Sequence, residues 1–95
     1  MSFSRTYRKS YEVTKTEEYI QQFDEIYKRF PRSIELNNAI VWALERYPHS
    51  FENLAHDFYH WITAELASEE YPIVKILFRI LSEENKVILL SVEEY

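Results

Sequence analysis

Apolar and polar positions along this 95-residue chain change period twice. From Tyr19 to Phe30 the apolar residues Tyr19, Ile20, Phe23, Ile26, Tyr27 and Phe30 recur every three or four positions, the stripe of an amphipathic helix. Thr14 and Glu17 stand at capping-box spacing before it, and Pro31 closes it. A second stripe, Leu36, Ala39, Ile40, Ala43, Leu44 and Tyr47, predicts a helix over 34–47 with Ser33 as N-cap and Pro48 as stop. So short a connection makes the two helices an antiparallel hairpin. The period then falls to two. Val74, Ile76, Phe78 and Ile80 alternate with Lys75, Leu77, Arg79 and Leu81, and an apolar run over 86–92 follows the polar Ser82-Glu83-Glu84-Asn85. That is a β-hairpin, whose first strand packs an apolar face on the helices and whose second belongs at the centre of the sheet.

Two stretches read less simply. Residues 5–13 alternate Tyr7, Lys9, Tyr11 and Val13 with polar residues, as a half-exposed edge strand does. Residues 50–66 fit either a helix led by Ser50 or a loop over 48–56 and a strand over 57–65. The Phe, Tyr, Trp, Ile and Thr content of 57–65 suits a strand. The expected fold class is α+β: one domain over 1–95, with an antiparallel sheet covered on one face by an N-terminal helical hairpin.

Composition narrows the chemistry. With 46% hydrophobic and 17% aromatic residues a packed core is within reach. No apolar run reaches the roughly 20 residues that span a bilayer, and no signal-peptide core opens the sequence, so a cytoplasmic protein without membrane contact is expected. There is no cysteine, hence no disulfide, thiolate metal site or thiol nucleophile. There is no glycine either, which excludes Gly-rich phosphate loops and dinucleotide fingerprints. Neither a cofactor nor a metal is expected. His56 and His60 have ligand spacing only if their segment is helical.

Charge is uneven. The net charge of −5 opposes nucleic-acid binding, yet Arg5, Arg8, Lys9 and Lys15 crowd the first fifteen positions. Residues 52–95 hold three Lys/Arg against nine Asp/Glu.

The chain, with Ala39 to Pro48 closing the second helix, Tyr59 to Glu65, Tyr71 to Ile80 as a strand and Glu83 to Val92 as turn and last strand, resembles the RelE/ParE toxin superfamily, a resemblance that implies a strand over 57–65 and the order β-α-α-β-β-β. The resemblance covers nearly the whole chain through apolar pattern and order. It implies the toxin component of a toxin–antitoxin system, with a small antitoxin-like protein partner. It implies action either on the ribosome, cutting messenger RNA, or on DNA gyrase. An active member of the first kind would be a ribosome-dependent endoribonuclease whose basic groups hold phosphate while a base activates the ribose 2′-hydroxyl. By position, Lys75 stands where such proteins often carry a catalytic arginine, a point charge in place of a bidentate fork. Arg79 shares its face. His60 suits acid–base work near neutral pH, Tyr95 is a candidate terminal general acid or base, Glu65 a candidate base at the end of its strand, and Tyr59 and Trp61 can stack on bases. The sequence departs from the nuclease pattern at Glu93-Glu94-Tyr95, where basic or histidine residues are usual. This departure fits a toxin of reduced or lost activity; the alternative is a non-catalytic protein-protein interaction module of the same fold.

Overall fold

The computed structural model describes residues 10–95. A strand β1 (Glu12–Lys15) leads into helices α1 (Glu17–Arg29) and α2 (Ser33–Arg46). Strands β2 (Glu52–Ala55), β3 (Phe58–Ile62), β4 (Val74–Leu81) and β5 (Lys86–Glu94) follow. They form one sheet in the order β1-β5-β4-β3-β2. The α+β class, the helical hairpin and the meander of β3, β4 and β5 stand as the sequence predicts.

Four details differ. The pairing of β1 with β5 is parallel, with Val13 opposite Val87, so the sheet is mixed. An extra strand, β2, lies in the stretch expected to be loop; all four of its residues are exposed, so it carries no apolar signal. It exists because β3 supplies its ladder. β4, not β5, occupies the centre, with β5 one place out. The N-terminal strand is confined to Glu12–Lys15 within the described residues, and the part of its expected range over 5–9 lies outside them.

β4 shows the clearest division of faces. Val74, Ile76, Phe78 and Ile80 are buried at 0–3% exposure, each contributing about 1.5–3 kcal/mol on removal from water. They meet Tyr19, Phe23 and Ile26 of α1 and Leu36, Ile40 and Leu44 of α2 in one core. Lys75, Leu77, Arg79 and Leu81 point to the side without helices.

β5 meets β1 only as far as Leu89. Beyond it, α1 takes over. Thr16 Oγ1 donates to the carbonyls of Leu89 and Leu90, both at 3.0 Å, and Val92 N–H donates to Gln22 Oε1 at 2.8 Å. The ladder with β4 skips Leu90, a bulge that places Leu77 opposite Ser91 and Phe78 opposite Leu89. Arg29 and Glu94 pair across α1 and β5.

The caps differ from the sequence reading for a related reason. Thr16, not Thr14, caps α1 by accepting from Tyr19 N–H at 3.2 Å, while Thr14 turns its hydroxyl to the Val87 carbonyl. Ser33 is the first residue of α2 and not its cap. Its Oγ is buried with no hydrogen-bond partner among the described residues. Tyr19, 1% exposed, donates to Asn37 Oδ1 at 2.9 Å and ties the two helices together. Burial pushes the Tyr19 phenol well above the ordinary tyrosine value.

Ser33→Ala removes an unsatisfied buried hydroxyl and should raise stability by about 1 kcal/mol in urea unfolding. Tyr19 stays neutral in the fold after it ionises in the unfolded chain, so its contribution is complete below the ordinary value of 10.0 and drains away as pH rises from there. Unfolding free energy should fall above about pH 10 by up to about 1.4 kcal/mol per pH unit, and Tyr19→Phe should remove that part of the slope.

Candidate functional site

The face of the sheet opposite the helices gathers Lys75, Arg79 and His60 within its strands, and Tyr95 follows at its edge. Cross-strand register puts Phe58 beside Arg79, His60 beside Leu77 and Ile62 beside Lys75. On the other flank Ile88 lies beside Arg79, Ser91 beside Leu77 and Glu93 beside Lys75. His60 therefore sits diagonally between Lys75 and Arg79 on one surface. Tyr95 follows β5 at 76% exposure, its N–H bonded to the Ile73 carbonyl at 2.9 Å, and alternation carries it to the Lys75 side.

Each basic residue singled out on this face has a carboxylate as partner or cross-strand neighbour. Arg79 directs Nε and Nη2 to one oxygen of Asp57, at 3.1 and 2.6 Å, with its guanidinium 5.3 Å from the centre of the Phe58 ring. The hydrogen bond from Arg79 holds the Asp57 carboxyl below the ordinary range. Asp57 occupies the β2–β3 turn, where its carbonyl also accepts from Ile80 N–H at 2.9 Å. His60 Nε2 lies 2.5 Å from Glu52 Oε1, and its Nδ1 is buried with no hydrogen-bond partner among the described residues. Lys75 makes no ion pair among the described residues, but Glu93 is its direct cross-strand neighbour. Between these charges the surface is apolar, built of Ile62, Leu77, Leu81 and Ile88.

Other residues read from the sequence go elsewhere. Tyr59 and Trp61 point to the helix side: Tyr59 stacks on Phe78 at 5.7 Å, and Trp61 is 7% exposed. They lie away from the open face and offer no platform for bases there. Glu65 lies on that side too, accepting from Trp61 Nε1 at 3.0 Å. His56 occupies the β2–β3 turn with φ of 52°, so it and His60 do not form the helical pair that metal spacing requires. Arg5, Arg8 and Lys9 lie outside the described residues, and Lys15 closes β1.

The sequence reading missed Asp57 and Glu52, whose roles arise from strand pairing across 22 and 8 positions. It also missed a chain at the sheet's rim: Ser82 Oγ lies 3.3 Å from His49 Nε2, and His49 Nδ1 lies 3.2 Å from the Tyr59 hydroxyl. No local spacing signals a contact between residues 33 apart.

With two helices laid over a five-stranded sheet and its other face open, the architecture can be compared with solved structures. The chain superposes on the Escherichia coli toxin RelE, a variant with two arginine-to-alanine substitutions in the free state. The TM-score is 0.63 at 12% identity, covering 90% of this chain and 83% of that one. The fold is RelE-like. The intact E. coli RelBE toxin–antitoxin complex gives a TM-score of 0.60 at 15% identity, covering 90% of this chain and 96% of the matched chain. No protein-family model and no curated protein matches the sequence. At such identities the likeness to RelE lies in the fold alone.

The sheet presents Arg79 already paired with Asp57, and this can be tested directly. Asp57→Asn should release Arg79 and raise affinity for a short single-stranded RNA by roughly three- to ten-fold at low salt. Arg79→Ala in the same background should cancel the increase, both read by fluorescence anisotropy.

Proposed function

We propose that this chain is the toxin-type component of a toxin–antitoxin pair, working through protein contacts, with messenger-RNA cleavage reduced or lost. The fold shared with RelE supports the pairing with an antitoxin-like protein. One observation carries the rest: every candidate phosphate-binding group on the open face has a carboxylate beside it. Arg79 is held by Asp57 and His60 by Glu52, and Lys75 is flanked by Glu93.

A phosphodiester entering this face meets Asp57, Glu52 and Glu93 beside Arg79, His60 and Lys75, and Glu84 beside Lys86 at 3.9 Å. It finds little of the surplus positive charge on which phosphate affinity depends. Transition-state stabilisation in RNA cleavage needs donors aimed at developing negative charge, and Arg79 has two of its donors committed to Asp57. The general-base role falls to His60 by position. Its Nε2 is occupied by Glu52 and its Nδ1 is enclosed, so neither nitrogen is presented to a ribose hydroxyl.

Protein binding is favoured by the same surface. Ile62, Leu77, Leu81 and Ile88, ringed by charge pairs, make the apolar centre and polar rim of an interaction patch. The reading covers the non-catalytic module of the same fold, which differs only in having no toxic target. It also leaves action on gyrase as a separate outcome.

The test is tight induction in bacteria with labelled methionine and thymidine incorporation followed together. Neither should fall sharply, and purified protein should leave messenger RNA intact on translating ribosomes. Rapid arrest of methionine incorporation, abolished by Lys75→Ala or Arg79→Ala, would establish RNA cleavage instead. Selective loss of thymidine incorporation would point to gyrase.

A further inference from the structure

Behind the sheet, where α2 ends and β3 is no longer roofed by a helix, lies a groove of about 810 Å³. Its walls are aromatic: Trp42 and Tyr47 from α2 and its end, Phe51 from the link to β2, and Trp61 from β3, with Leu66 at one side. Phe51 and Trp61 stack at 4.2 Å with their planes 21° apart, and Trp42 meets Tyr47 edge-on at 5.9 Å. Trp42 is 45% exposed, a large apolar surface left in water.

Among the described residues, Glu65 is the one charged side chain lining this groove. It is fixed in place, because its Oε2 accepts the Trp61 indole N–H at 3.0 Å. It makes no ion pair, and Oε1 has no hydrogen-bond partner among the described residues. The neighbouring cation is already engaged: Arg46 is bound to Glu45 at 3.2 Å and to the Trp42 carbonyl at 3.0 Å. Its guanidinium lies 4.3 Å over the Trp42 ring. The protein thus already stacks one guanidinium on this indole.

We propose that the groove binds an arginine side chain carried on a peptide segment of a partner protein. Aromatic faces attract a cation through their quadrupoles, most strongly where water is displaced. A guanidinium is planar and weakly hydrated, so it stacks on such faces while donating to a carboxylate. Glu65 supplies that carboxylate, oriented in advance by Trp61. The volume exceeds what one side chain fills and falls in the range of ligand sites, leaving room for an apolar neighbour against Phe51 and Leu66. Charge complementarity is local: Glu65 is the one charged residue in the groove's lining, and it is acidic. Binding here does not depend on the proposed toxin role and takes place on the opposite side of the sheet.

The test titrates isotope-labelled protein with acetyl-Leu-Arg-Leu-amide and follows the indole N–H resonances of Trp42 and Trp61. Saturable shifts at both are expected. Acetyl-Leu-citrulline-Leu-amide, of the same shape without the charge, should bind about ten-fold more weakly. Glu65→Gln keeps an acceptor for the Trp61 indole and should reduce the arginyl peptide to the level of the citrulline one, leaving the latter unchanged. Three results would overturn the proposal: equal affinity for both peptides, shifts confined to Leu77 and Ile88 on the open face, or no saturable shift at millimolar peptide. Ethylguanidinium binding as tightly as the peptide would overturn the peptide assignment in favour of a small-cation site.

Discussion

The whole arrangement turns on how β5 satisfies its outer backbone edge. A strand in the body of a sheet must find a partner for every buried N–H and carbonyl, and unpaired groups cost on the order of 1–3 kcal/mol each. β1 provides that pairing only as far as Leu89. Past that point, the Thr16 hydroxyl and the Gln22 amide of α1 serve in place of a strand, reaching the Leu89 and Leu90 carbonyls and the Val92 N–H. Thr16 has a second duty, since its oxygen caps α1. One side chain therefore fixes both where the helix begins and where it sits on the sheet. With α1 pinned along β5 and joined to α2 by Tyr19 and Asn37, the hairpin covers one face of the sheet and leaves the other face free.

That geometry explains which features the sequence discloses. β4 is legible because each of its faces has one environment along its length, so its alternation survives in the residue order. The helices are legible for the same reason, at their own period. β2 is not, since all of its residues are exposed and its only support is the ladder with β3. The choice between Thr14 and Thr16 cannot be made locally: either hydroxyl can cap a helix, and contacts with β5, more than 70 positions away, assign one to Val87 and the other to the helix. Parallel pairing of β1 with β5 has no local trace either.

The candidate site divides along the same line. That Lys75 and Arg79 share a face follows from their spacing in a strand, and the addition of His60 follows from adjacent-strand order. What neutralises them does not. Asp57 reaches Arg79 because the β2–β3 turn brings residue 57 beside residue 79, and Glu52 reaches His60 through the β2 ladder. A residue list suggests a basic strand face; the pairing makes it balanced.

The strength of these pairs is not what opposes phosphate binding. Arg79 and Asp57 keep 38% and 30% side-chain exposure, and a pair so accessible to water is weak enough for a phosphate group to displace. Displacement, however, leaves Asp57 beside the new anion, with Glu52 and Glu93 still close by, and their repulsion then offsets the attraction between Arg79 and the phosphate. Carboxylates held by the protein's own donors, Asp57 by Arg79 and Glu65 by Trp61, thus occur on both sides of the sheet. On the open side the carboxylate already has its cation; behind the sheet it has only a neutral indole. Of the two, Glu65 is the one with no ion pair among the described residues, and this is the demand that the proposed arginine-bearing partner would meet.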